Sequence, residues 1–315
     1  MNFEIRKKEV NGETIITLAD LTNDTTVELF SFGSLLNSFI VKTAQGKKEL
    51  VDGFSSIEAA TKEMTPAFKS AFLSPFTCRM NKGEFQHAGE SYQVEKFFLP
   101  PHAIHGLVFD ASFQLAELDT HPDYCSATFT YTYNKEDKGY PFQYHISNCW
   151  KLTYHNELSV TTTVTHNNES PIPYAQGWHP YFTLGDDTID KATLQFSTDK
   201  IVAFDDTLLP IGHLEEDARF VEPILLKDIS LDNCFQFMDT ANASCVLAND
   251  ILQLHIKPAS SYPFLQVYTP PHRNSIAIEN LSGAPDCFNN GLGLQLIAPN
   301  TPAVFSTTYQ AVING

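Results

Sequence analysis

Arginine is almost missing from this chain. Among 315 residues only Arg6, Arg79, Arg219 and Arg273 are arginine; Lys plus Arg number 20 against 37 Asp plus Glu, a net charge of −17 with a pI near 4.9. Nucleic acid and anionic membrane surfaces both call for clustered Lys and Arg, so this balance argues against either as a partner. Cysteine is sparse too: Cys78, Cys125, Cys149, Cys234, Cys245 and Cys287 are scattered, with no C-x-x-C pair to suggest zinc or redox chemistry. A chain of this length buries an ample core without disulfide staples, so buried thiols are expected. There is no long uncharged apolar run and no charged segment leading into an apolar one at the N-terminus, which predicts a soluble, cytoplasmic protein. No repeat, low-complexity tract or Pro/Ser-rich linker divides the sequence, and a single domain over 1–315 is expected. Neither a G-x-S-x-G elbow nor a phosphate loop occurs.

Helical periodicity is nearly absent as well. The segments 4–10, 13–19 and 25–30 alternate apolar and polar residues, and Asn11-Gly12 between the first two is a strong hairpin signal. Strands are expected again at 35–41, 49–51, 84–87, 91–94, 112–118, 125–134, 144–154 and 157–166, with Tyr154-His155-Asn156-Glu157 as a tight turn. In the second half, 191–197, 201–204, 251–257, 264–269 and 275–279 read the same way. The one helical start is Ser55-Ser56-Ile57-Glu58, a capping-box spacing that opens one or two turns toward Glu63. Without helices between the strands, parallel βαβ units are excluded; the prediction is all-β, a large antiparallel sandwich.

The residues that carry chemistry are few. In Pro173-Tyr174-Ala175-Gln176-Gly177-Trp178-His179-Pro180-Tyr181-Phe182, an imidazole sits between a Gly-Trp pair and a proline that biases it toward extended backbone. His179 is therefore a candidate positioned proton donor, and Trp178 and Tyr181 offer flat faces of the kind sugar rings stack on. Glu279 closes the expected strand 275–279 just before the loop Leu281-Ser282-Gly283-Ala284-Pro285-Asp286, where a sheet would hold the backbone and a loop would leave the carboxylate accessible as a general base. Arg79, a rare arginine beside an apolar stretch, is expected against a partner. Asp232 reads as a turn residue or a hydroxyl acceptor. His102 and His105 are three apart, a spacing that would suit a metal on a helix, but Pro100-Pro101 forbids a helix there and no third ligand is close, so no metal site is expected.

Arg79 in Cys-Arg-Met-Asn, His105 in Ile-His-Gly, His179 in Gly-Trp-His-Pro-Tyr-Phe, Asp232 in Leu-Asp-Asn and Glu279 in Ile-Glu-Asn stand in an order and spacing that resemble the aldose 1-epimerase, or galactose mutarotase, family from about residue 33 to 305. The resemblance implies a β-supersandwich with a shallow sugar-binding cleft. It implies His179 as general acid, Glu279 as general base, and Arg79, His105 and Asp232 as contacts to sugar hydroxyls, with no cofactor and with a small-molecule sugar as partner of a monomer or homodimer. Leu107 replaces the second glycine that typical galactose mutarotases carry after His-Gly, and Trp178-His179-Pro180-Tyr181-Phe182-Thr183 differs from their Asn-His-Thr-Tyr-Phe-Asn type run. The chain thus resembles a divergent branch, and galactose is not implied as its substrate.

Mutarotation needs one acid and one base, and a neutral-range imidazole with a carboxylate supplies them. His179 and Glu279 are accordingly expected to face each other in one cleft across a gap that a pyranose could fill. Two rivals use the same scaffold: a hexose-6-phosphate 1-epimerase, whose phosphate would have to be met by Arg79, Lys82, Arg273 and His272, and a sugar-binding protein without turnover. A glycosidase would need two carboxylates flanking the bond.

Overall fold

A computed structural model describes residues 2–185 and 188–314 of the chain. It opens with an antiparallel meander of five strands in chain order, Phe3–Val10, Glu13–Asp20, Thr25–Phe30, Leu35–Thr43 and Gly46–Glu49. Val10 pairs with Glu13, and the Asn11-Gly12 turn between them has φ of 53° and 87°. Positive φ at both central residues matches the twist of the flanking strands, and Asn-Gly reaches it at little cost. The expected turn after Tyr154 forms in the same way, with His155 and Asn156 at φ of 63° and 54° and Thr153 opposite Glu157.

Two large sheets make up the body. One has nine strands, in the order Gln114–His121, Tyr124–Tyr133, Tyr144–Thr153, Glu157–Thr165, Ala303–Ile313, Leu252–Pro258, Cys245–Ala248, Thr193–Phe196 and Ile224–Leu225. The other runs Pro210–Glu216, Lys200–Phe204, Asp232–Gln236, Phe264–Tyr268, Ile276–Leu281, Gly177–His179 and Ala71–Leu73, with Tyr181–Phe182 also paired to Ile276–Leu281. Their pairings are antiparallel. Apolar side chains of the two sheets interdigitate in one core, where Trp150 meets Trp178 at 5.0 Å and Phe182 meets Tyr309 at 5.4 Å between ring centroids. Such burial supplies most of the driving force for folding, at about 25 cal/mol per Å² of apolar area. The architecture is the all-β antiparallel sandwich expected from the alternating sequence.

The expected helix spans Ile57–Ala67, its regular part of about two turns ending at Met64, and a second, single helical turn lies at Cys287–Asn290. Ser56 caps the first, its Oγ accepting from the Ala59 amide at 3.2 Å. Thr65 is extended, with φ −99° and ψ 145°, and precedes Pro66, so the regular turns stop at Met64. Other differences concern strands. Ala303–Ile313, not among those expected, is central to the nine-stranded sheet, and Pro210–Glu216 and Cys245–Ala248 are further additions. Asp232 begins a strand instead of making a turn. The strand expected to end at Glu279 runs Ile276–Leu281 and is buried throughout, because sheets and loops cover both of its faces.

Candidate active site

The site grows out of strand register. Gly177 lies opposite Leu281 and Trp178 opposite Asn280, so continuing the ladder by one residue sets His179 opposite Glu279. Glu279 in turn pairs with Gln266, and Gln266 with Cys234. Two residues along, on the same face, Tyr181 and Tyr268 both pair with Ala277, and Tyr268 with Asp232. Period-two alternation therefore delivers His179, Glu279, Gln266, Tyr181, Tyr268 and Asp232 to one side of the eight-stranded sheet. Between Tyr181 and Tyr268 the small Ala277 leaves room above the backbone. Gly177 has a structural duty here: a Cβ on it would lie 2.8 Å from the Asn280 carbonyl oxygen, so only glycine lets these two strands approach.

Two loops close the cleft. Arg79 opens the short strand Arg79–Met80, which pairs with His102–Ile104 so that Arg79 lies opposite Ile104. His105 follows at φ 63°, its amide donating to the Cys78 carbonyl at 2.9 Å. Gly106 continues at φ 79° with its Cα packed on the Ser74 backbone, where a Cβ would sit 2.4 Å from an oxygen. The resulting cavity of about 210 Å³ is lined by Arg79, His105, His179, Tyr181, Asp232 and Glu279 together with Gln266, Tyr268 and Cys78, and the end of the helix adds Pro66, Ala67 and Phe68. A larger hollow of about 490 Å³ lies under Thr132, His145, His166 and Asn300, but no acid–base pair faces into it.

His179 and Glu279 are 5 % and 1 % exposed, and Nε2 of the first is 3.3 Å from Oε1 of the second. The heads thus meet directly and do not face each other across a ring-sized gap as expected. Nor is Glu279 an accessible strand-end carboxylate; it is a buried one. Burial raises its pKa well above the ordinary carboxylate range, reinforced by the negative charge of Asp232 and opposed by Arg79. Burial lowers the His179 pKa from 6.5 to about 4, against a smaller pull from its own main chain. Although the two stand at ion-pair distance, both shifts favour a neutral imidazole beside a protonated carboxyl. His105 is likewise kept neutral, by burial first and by His179 and Arg79 after it. Burial also raises the pKa of Asp232, with Arg79 and a 2.8 Å hydrogen bond from Gln266 working the other way.

The structure brings Arg79, His105, His179, Tyr181, Asp232 and Glu279 into this cleft, and leaves Trp178 out. Its ring is 1 % exposed and packs between Phe72, at 4.7 Å, and Trp150. As the strand neighbour of His179 it must point to the opposite face, so the expectation that it lines a sugar is corrected. Tyr181 stacks on His179 at 5.1 Å, with 23° between the rings. His102 also stays outside, its Nδ1 accepting from the Lys82 amide at 3.3 Å. Arg6, Arg219 and Arg273 pair with Glu4, Asp217 and Asp190. Among the described residues Arg79 is the arginine without an ion pair, which differs from its expected structural partner and leaves its guanidinium to the cleft. Gln266, Tyr268 and Cys78 were not anticipated. The first two lie at alternate positions of one strand; Cys78 carries no local signal beyond preceding Arg79.

Comparison with known proteins gives the family and the fold. Residues 15–310 match the family described as aldose 1-epimerase, and the chain belongs to that family. A relative from Escherichia coli K12, the uncharacterized protein YihR, is 27% identical over 251 residues, 76% of this chain and 78% of its own. The fold is that of solved galactose mutarotase-like structures. A galactose 1-epimerase from Lactobacillus acidophilus superposes with a TM-score of 0.83 at 18% identity over 99% of both chains, and a galactose mutarotase-like protein from Clostridium acetobutylicum with 0.84 at 14% over 99% of both. Among the described residues no helix is long and apolar enough to cross a membrane.

Proposed function

We propose that the chain is an aldose 1-epimerase that interconverts the α and β anomers of a free, unphosphorylated aldose by ring opening and reclosure. The observation that carries this reading is the His179–Glu279 pair, 3.3 Å apart on the floor of a cleft whose lining joins the hydrogen-bonding Arg79, His105, Tyr181, Asp232, Gln266 and Tyr268 to apolar walls such as Phe68 and Phe97. Ring opening removes the proton of the anomeric hydroxyl and delivers one to the ring oxygen. Both oxygens are bonded to the same carbon, so two neighbouring heads can serve them without standing on opposite sides of the ring. The pair holds one proton: the protonated member gives it to the ring oxygen, the other accepts from the anomeric hydroxyl, and the two have exchanged roles when the aldehyde turns and recloses. Each positioned transfer is worth roughly 10²–10⁴-fold. Arg79, neutral His105, Asp232 and Tyr181 are assigned to the sugar's remaining hydroxyls and ring face, which hold the reacting carbon against the pair.

The charges around the cleft favour a neutral substrate. Arg79 stands there with Asp232 and Glu279, while Arg273 is held at Asp190 Oδ1, 2.5 Å, and by two main-chain carbonyls. Lys82 and His272 do not line the cavity. A dianionic phosphate approaching a chain of net charge −17 would meet repulsion that one guanidinium does not offset.

Anomer-exchange NMR across free and 6-phosphorylated hexoses and pentoses tests the proposal. Acceleration of a free aldose is expected, with Arg79→Ala weakening it at all salt concentrations alike, because hydrogen bonds to neutral hydroxyls are short-range. Faster exchange of glucose 6-phosphate, falling steeply with salt, would instead assign the phosphorylated substrate. Sugar binding by calorimetry without any exchange would make the chain a binder only.

A further inference from the structure

One polar group on the cleft floor takes no part in proton transfer to a sugar. Cys78 is 4 % exposed and turns its Sγ to Glu279, 4.0 Å from Oε2, the carboxylate oxygen that His179 does not face. The His105 ring stands alongside, held by the hydrogen bond of its amide to the Cys78 carbonyl, and its Nδ1 is buried with no hydrogen-bond partner. One ligating atom from each of Cys78, His105 and Glu279 lies within 4.8 Å of the other two. These residues come from three separate parts of the chain, which is why neither a Cys nor a His spacing revealed them.

We propose that Cys78, His105 and Glu279 form a binding site for a borderline-soft divalent cation, Zn²⁺ above all, which blocks the acid–base pair by occupying the Glu279 carboxylate. Tetrahedral zinc holds sulfur at about 2.3 Å and nitrogen or oxygen at about 2.0–2.2 Å, so its ligand atoms stand about 3.3–3.8 Å apart. The present spacing, at most 4.8 Å, is wider than that by about an ångström, which the three side chains would have to close together. A thiolate with an imidazole suits zinc, whereas calcium and magnesium call for a shell of oxygens that one carboxylate does not supply. Because all three ligands line the cavity, the fourth position opens into it and would take water or a sugar hydroxyl, the arrangement of open zinc sites. On binding, the S–H bond of Cys78 and the O–H bond of the Glu279 carboxyl break, S–Zn and O–Zn bonds form, neutral His105 donates a ring-nitrogen lone pair, and both protons leave to solvent; no electron is transferred. The binding claim stands on the cluster alone, and the block on turnover rests on the epimerase reading.

Cobalt(II) is the probe, added to the reduced full-length protein. One equivalent should produce a thiolate-to-cobalt charge-transfer band that one equivalent of Zn²⁺ abolishes. Competition with a chromophoric chelator then gives the zinc affinity. Cys78→Ala and the near-isosteric Cys78→Ser, each confirmed folded by circular dichroism, should lose the band and weaken zinc binding at least as much as loss of an outer-shell partner does, roughly 10–100-fold. Cys149→Ala, which removes the half-buried thiol elsewhere, should change neither. Absence of the band, unchanged zinc affinity in both Cys78 variants, or an equal loss in Cys149→Ala would each overturn the site. Zinc should also slow anomer exchange in the wild type but not in Cys78→Ser. A thiolate band with no slowing, or no exchange to slow, would leave the metal site standing and remove the role given to Glu279.

Discussion

A carboxyl and an imidazole in contact and away from water act as one titrating unit. In the proposed mechanism the working state carries a single proton, and whether that proton rests on Glu279 or on His179 cannot change the pH profile, since the two forms have the same proton count. Activity should therefore be a plateau bounded by two macroscopic ionisations. On the acid side the pair gains a second proton as His179 titrates, at about 4, and on the alkaline side it loses its only one at the raised value of Glu279. Polarimetric rates across pH check this: an acid limb near the ordinary imidazole value of 6.5 would mean a solvated His179. Replacing Glu279 by Gln should lower kcat roughly 10²–10⁴-fold. It should also raise the thermal midpoint. The folded state holds the Glu279 proton more tightly than the unfolded chain, so the stability linked to it is full below the unfolded carboxylate value and declines as pH rises toward the folded one. The gain in Glu279→Gln should accordingly grow with pH, about 1 kcal/mol corresponding to roughly 2 °C in a chain of this size. A midpoint below the wild type at alkaline pH would count against a buried, protonated carboxyl.

At the scale of elements, the strand Gly177–His179 divides labour between its faces. Trp178 supports the core and His179 the cleft, although both occur in one short motif. Trp178→Ala should cost roughly 3–5 kcal/mol by opening a cavity against Phe72 and Trp150, with KM little changed in the protein that still folds. Tyr181→Phe, which keeps the buried ring and removes only its hydroxyl, should leave the melt nearly intact and raise KM. Thermal melts with steady-state kinetics on the two variants separate these roles, and a Trp178 variant that folded normally but bound sugar poorly would reverse them. Alternation made both assignments available in principle. It was obscured by Pro180, which breaks the run between two very short strands, Gly177–His179 and Tyr181–Phe182, whose partner Ile276–Leu281 is buried on both faces and so shows no alternation of its own.

The whole molecule is held by its apolar core, without covalent links. All six cysteines are free, five of them buried, so the midpoint of thermal unfolding should be the same with and without a reductant. A fall of several degrees on reduction would reveal a disulfide. The two large sheets share one packed interior, and the cleft lies where the eight-stranded sheet meets the end of the helix and the loop at His105.

Some of this was decided by the sequence alone. Period-two alternation, Asn11-Gly12 and the Ser56 cap act between residues that are neighbours in the chain, so the all-β class, the first hairpin and the helix after Ser56 were legible. The order of motifs around Arg79, His105, His179, Asp232 and Glu279 pointed to the family for the same reason. Only the tertiary structure decided that His179 and Glu279 touch, that Trp178 turns into the core, that Asp232 is a strand residue receiving a hydrogen bond from Gln266, and that Cys78 stands against Glu279. Each of these depends on strand register or loop contact between segments as much as 201 residues apart, and on desolvation by packing from both sides. Neither is set by local residue order, because the same alternating strand fits several partners until the core selects one of them.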